Sequence, residues 1–207
     1  MNSINMETND KLKNIKQSFR LVMNGPASQS MREKGLNYKI NWGVPFTTLR
    51  DMAAEYGKDY DLAIALFKEN IRECKILATM IMPVDKFEAD LADLWMEQTD
   101  NQELAEMLAF NLLQHTPYAP AVAYKWIALD NNVYQICGYS ILSRLFMNGQ
   151  EPNDRGMDEY LDQVAVALRA ENTGLKHTAL NSVMRFVELG DTFEKAARVT
   201  LKGIVEI

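Results

Sequence analysis

The chain has 207 residues, 47% of them apolar, with a formal net charge of −6 and a pI near 5.1. This excludes a disordered chain and gives enough length for one well-buried domain or for about five or six helix pairs. The only cysteines, Cys74 and Cys137, sit inside apolar stripes, which suits buried free thiols in a reducing compartment rather than a disulfide scaffold. No run is apolar enough to span a membrane and the polar start MNSINMETNDKLKNIK lacks the apolar core of a signal peptide, so a cytoplasmic protein is expected. The acidic balance leans away from nucleic acid, because a phosphate-binding surface needs clustered Lys and Arg, although a total does not report clustering.

In chain order, residues 1–8 are expected to be disordered. A helix follows from Asn9 or Asp10 to Met23, with Leu12, Ile15, Phe19 and Val22 on one side, ending at Gly25-Pro26. A short helix over 27–34 is stopped by Gly35. The stretch LNYKINWGVPF is the least periodic of the chain. Its aromatics, Tyr38, Trp42 and Phe46, either plug a core end or offer a platform on which a base stacks. Thr47 or Thr48 caps a helix through Tyr56, with Gly57 at its end. Helical hairpins then span about 60–82, 85–115, 117–146 and 157–189, with a loop insertion near 148–156 and a terminal helix over 192–203. No alternating apolar run bounded by turns is present. A single domain over 1–207 is expected.

The hairpins repeat. An acidic residue followed by Asn recurs at Glu69-Asn70, Asp100-Asn101, Asp130-Asn131 and Glu171-Asn172, at spacings of 31, 30 and 41 residues. Eight or nine positions beyond each sits a small residue, Ala78, Ala109, Gly138 or Ala179, which lets neighbouring helices lie close. Helix pairs at such a period predict an all-α fold, an α-solenoid of HEAT, armadillo or tetratricopeptide kind.

Most catalytic signatures are absent: no GxxxxGK, GxSxG, HExxH or CxxC occurs. His115 and His177 fall in different hairpins without metal-ligand spacing, so neither a metal site nor a cofactor is expected. The cluster Trp95-Met96-Glu97-Gln98-Thr99-Asp100 places carboxylates beside an aromatic. This suits a cationic ligand held by charge and cation–π attraction, or equally a buried Trp beside solvated acids and a helix cap. Arg144 and Arg185 occupy equivalent places in the last two hairpins, 14 residues after Asp130 and Glu171, on the second helices that line the concave side of such repeats. Lys125, Lys75 and Arg72 could extend a basic row that fits a polyanion, or these cations pair with nearby acids.

Gly43-Val44 with Arg50, the hairpin LAIALFKENIRECKILATMIM, and KWIALDN at Lys125–Asn131 resemble the DNA alkylation repair enzyme family, the HEAT-like-repeat alkylpurine DNA glycosylases (AlkD-like), over about Met31 to Val187. The resemblance implies double-stranded DNA held in a basic concave groove and hydrolysis of the N-glycosidic bond of cationic alkylated purines. It also implies no deep pocket for a flipped base. The family's Trp-Trp-Asp-x-x-Asp run falls on Trp95 to Asp100, making Asp100 the candidate catalytic carboxylate and Trp95 a lesion-contacting aromatic. Met96 stands where the second Trp would be, Ile136 at a DNA-binding Arg and Ser182 at another lesion-contacting Trp. Arg185 matches a DNA-backbone Arg, and Trp42 or Trp126 are candidates to replace the lost aromatics. DNA binding through Arg144, Arg185 and Lys125 is the expectation; the alternative is a non-catalytic scaffold for a protein partner.

Overall fold

A computed structural model describes the backbone of residues 2–207 and the side chains from Met6 onward. The described residues form twelve α-helices and two 3-10 turns with no strand; one isolated parallel bridge joins Ile40 to Ile71. The chain divides into two compact units, one ending at Trp95 and the other beginning at Met96. Among the described residues, no helix is long and apolar enough to cross a membrane.

The first unit holds α1 (Asn2–Leu21), α2 (Gly25–Glu33), α3 (Phe46–Tyr56), α4 (Tyr60–Phe67) and α5 (Arg72–Ile81), and α6 (Ala89–Glu97) carries the boundary. Of residues 1–8, expected to be disordered, Met1 lies outside the described residues and the others belong to α1. That helix starts earlier than the apolar stripe predicts, since no breaker lies before Asp10 and the Glu7–Lys11 pair at 3.0 Å supports the turn. Gly25-Pro26 begins α2 instead of merely ending α1. Pro26 has no N–H to leave unsatisfied in a first turn, and the Asn24 side chain accepts a hydrogen bond from the amide of Ala27. Helix α3 begins at Phe46 behind Pro45, without the expected threonine cap. Its interior face and those of α1, α4 and α5 bury Ile15, Phe19, Leu49, Leu62, Leu66 and Leu77.

The second unit holds α7 (Gln102–Asn111), α8 (Ala119–Ile127), α9 (Asn132–Met147), α10 (Asp154–Ala167), α11 (Thr173–Val187) and α12 (Asp191–Thr200). Asn101, Asn131 and Asn172 each cap the following helix by accepting amide hydrogen bonds, from Leu104, from Val133 and Tyr134, and from Leu175. The first of the four breaks differs: Ile71, not Asn70, takes the cap position of α5. Ala78, Ala109, Gly138 and Ala179 are all buried. Helix α9 packs against α7 on one side and α11 on another, with α8 as its hairpin partner. Phe146, Tyr160, Phe186 and Phe193 form a chain of tilted and edge-on ring contacts through the core.

Cys74 and Cys137 are free and buried, and burial pushes both thiols well above the ordinary cysteine range. An aromatic disulfide reagent is therefore expected to titrate neither thiol in the native protein and both after denaturation in urea. Rapid reaction of either native thiol would contradict that burial.

Candidate nucleic-acid interface

Asp100 ends the turn between α6 and α7 and is exposed. Its carboxylate accepts a hydrogen bond of 2.9 Å from the Asn101 side-chain amide, while the oxygen of that amide caps α7 at the Leu104 amide. The acid thus steadies a helix cap and keeps one side open to solvent.

Trp95 lies in the core of the first unit, only 2% exposed. Its ring stacks on Phe67 at 3.9 Å and meets Phe87 edge-on at 5.0 Å. Phe67 in turn carries the Lys75 ammonium 4.3 Å from its centroid. Trp95 therefore packs against its own unit and does not present its ring to a ligand. Trp42 is half-buried in the same unit, its ring 5.7 Å from that of Phe19.

The substituted family positions share one environment. Met96 and Ser182 are fully buried and Ile136 is 2% exposed. The hydroxyls of Ser182 and Tyr160 share a 2.7 Å hydrogen bond, so that position closes the core of the second unit. Trp126, a candidate replacement aromatic, is buried too, edge-on to Tyr134 at 5.7 Å.

Of the basic residues read from the sequence, Arg72 and Lys75 do not extend a basic surface. Both are buried: Arg72 donates to the carbonyl of Val44 at 3.1 Å and to Glu73 at 3.3 Å, and Lys75 donates to the carbonyl of Phe67 at 3.0 Å. Lys125 is exposed on α8, the hairpin partner of α9, and so stands outside the row formed by α7, α9 and α11. Arg144 and Arg185 belong to that row, in the last turns of α9 and α11. Arg185 pairs with Glu188 at 2.8 Å, both side chains largely in solvent. Arg144 lies over the ring of Phe110, 4.4 Å from its centroid, with the Met147 sulfur 3.8 Å from a guanidinium nitrogen.

Sequence reasoning missed Phe110 and Met147. The signal was available: both are large apolar residues off the buried stripes Leu104-Ala105-Leu108 and Leu142-Leu145-Phe146, and both are exposed.

No curated protein matches the sequence. A solved structure described as "A new family of proteins related to the HEAT-like repeat DNA glycosylases with affinity for branched DNA structures" matches with a TM-score of 0.82 at 17% identity, covering 93% of this chain and 82% of that one. At that identity the likeness establishes the fold, a HEAT-like helical repeat. The family described as "DNA alkylation repair enzyme" matches residues 15–188, most of the sequence. Through that match, the chain belongs to the DNA alkylation repair enzyme family.

Proposed function

We propose that the protein binds DNA along the α7–α9–α11 row and holds it without excising a base. One observation carries the second half. Met96, Ile136 and Ser182, where the resemblance expects two lesion-contacting Trp and a DNA-binding Arg, are buried in the core. Excision of a cationic purine relies on aromatic contact with the lesion and on a carboxylate beside the developing sugar cation. Asp100 keeps the carboxylate, but Trp95 faces Phe67 and Phe87. DNA binding is supported by family membership, by the relative's affinity for branched DNA, and by Arg144 and Arg185 on adjacent helices. A protein-binding scaffold is the second reading. It is favoured by the charge of the second unit, where fifteen Asp and Glu face nine Lys and Arg.

The test uses a duplex carrying one 7-methylguanine, followed by gel shift and by alkaline cleavage at any abasic site. The expected result is a shifted complex with the base retained, and the same complex with Asp100→Asn. Base release by the wild type but not by Asp100→Asn would establish a glycosylase and overturn the binding-only reading. No complex at low salt would remove the DNA reading and leave the scaffold.

A further inference from the structure

We propose that Phe110, Arg144 and Met147 form a platform for an unpaired nucleobase, which makes DNA with a gap or branch, rather than intact duplex, the preferred ligand. This rests on the DNA reading above.

The platform is built by two packed helices, Phe110 closing α7 and Arg144 and Met147 closing α9. Phe110 is 37% exposed and Met147 52% exposed, so solvent reaches a ring and a thioether that both contact one guanidinium. A simpler reading is that Arg144 complements the negative end of α9. That accounts for the charge, but not for a guanidinium placed over an aromatic ring that solvent reaches. An arginine held over a ring has its planar, weakly hydrated fork restrained in advance, ready to stack or to donate in-plane hydrogen bonds.

Charge narrows the occupant. A second unit richer in acids than bases, with Arg185 already paired to Glu188, can neutralise only a few phosphates, and affinity from counterion release scales with that number. Contact with a base must then supply much of the affinity. Stacking on an aromatic side chain does so without regard to base identity, since every base has a π-face. In continuous duplex the bases are stacked on one another; at gaps and branches some are not.

The experiment compares three fluorescently labelled ligands by anisotropy: an intact duplex, a duplex with a short single-stranded gap, and the same gap with its bases replaced by abasic residues. The abasic ligand keeps the phosphates and removes the rings. The wild type is expected to bind the base-bearing gap about tenfold more tightly than the abasic one, the contribution of one stacked base. Phe110→Ala is expected to erase that difference and leave abasic-gap binding unchanged. Phe110→Leu, which keeps an apolar support under Arg144 but no ring, is expected to do the same. Equal wild-type affinity for both gaps would overturn the platform while leaving DNA binding in place. Equal loss on both gaps with either variant would also overturn it, reassigning Phe110 to support of the fold. Failure to bind any of the three would instead remove the DNA reading itself.

Discussion

Glu73→Ala is expected to lower folding stability by about 3–5 kcal/mol, the range for removing one partner of a buried ion pair. Glu73 is fully buried, and its carboxylate accepts hydrogen bonds from the amides of Trp42 at 3.2 Å and Val44 at 3.2 Å. The neighbouring Arg72 reaches both that carboxylate and the Val44 carbonyl, so one charged pair at the start of α5 fixes the backbone of residues 42–44. The same segment is tied at Ile40, whose carbonyl accepts from the Arg72 amide at 3.0 Å, and at Asn41, whose carbonyl accepts from the Ser28 hydroxyl at 2.7 Å. Truncation leaves two inward-facing amides without their acceptor and takes the carboxylate from Arg72. Glu73→Gln keeps one acceptor oxygen for the two amides but loses the charge and sets an NH2 where the other carboxylate oxygen accepts from the Trp42 amide at 3.3 Å, so its cost should be smaller, about 1.5–3 kcal/mol. Urea denaturation of the three proteins gives the order; equal stability of Glu73→Ala and wild type would mean that the clamp does not hold the loop.

Gly138→Ala is the second. A Cβ at this position of α9 would lie 2.7 Å from Ile127 Cγ2 and 2.9 Å from the Ala123 carbonyl oxygen, closer than packed atoms approach. The Ala123 oxygen belongs to the α8 backbone and the Ile127 methyl to a β-branched side chain, so neither yields by a simple rotamer change. Overpacking of this kind costs about 1–3 kcal/mol, set against about 1 kcal/mol that Ala recovers in helix propensity. A net loss is expected, with α8 and α9 forced apart. Gly25→Ala is the comparison: apart from its chain neighbours nothing lies within 4 Å of a Cβ there, so only the restriction on a residue before Pro26 opposes it and the loss should be smaller. A thermal melt in which Gly138→Ala matched or exceeded the wild type would contradict the close approach of the two helices.

What the sequence disclosed follows from the range of each interaction. The helices of the second unit are local: an Asn cap, an apolar stripe and a small residue at fixed distance lie within one hairpin, and Asn101, Asn131 and Asn172 cap where the repeat places them. Gly138 was legible for the same reason. Burial of charge was not. Arg72 and Lys75 read as part of a basic row or as partners of nearby acids, and only backbone amides 31 and 29 residues away show that Glu73 beside them turns inward. Trp95 was open in another way, as a ligand-facing ring or a buried one. A motif position states which residue is present, whereas Phe67 and Phe87 decide that its ring faces the core. Ile136 was the converse case, an apolar residue already on the buried stripe of α9, so its burial was foreseeable from its neighbours Val133 and Cys137.

The central claim is that the α7–α9–α11 row holds DNA, and the salt dependence of binding tests it most directly. Affinity for a gapped duplex would be measured across a series of salt concentrations for the wild type and for the double variant Arg144→Gln, Arg185→Gln. Each phosphate contact contributes about 0.9 to the slope of log affinity against log salt, so the double variant should bind more weakly with a slope shallower by about one to two. An unchanged slope and affinity in the double variant would contradict the assignment of DNA to this row.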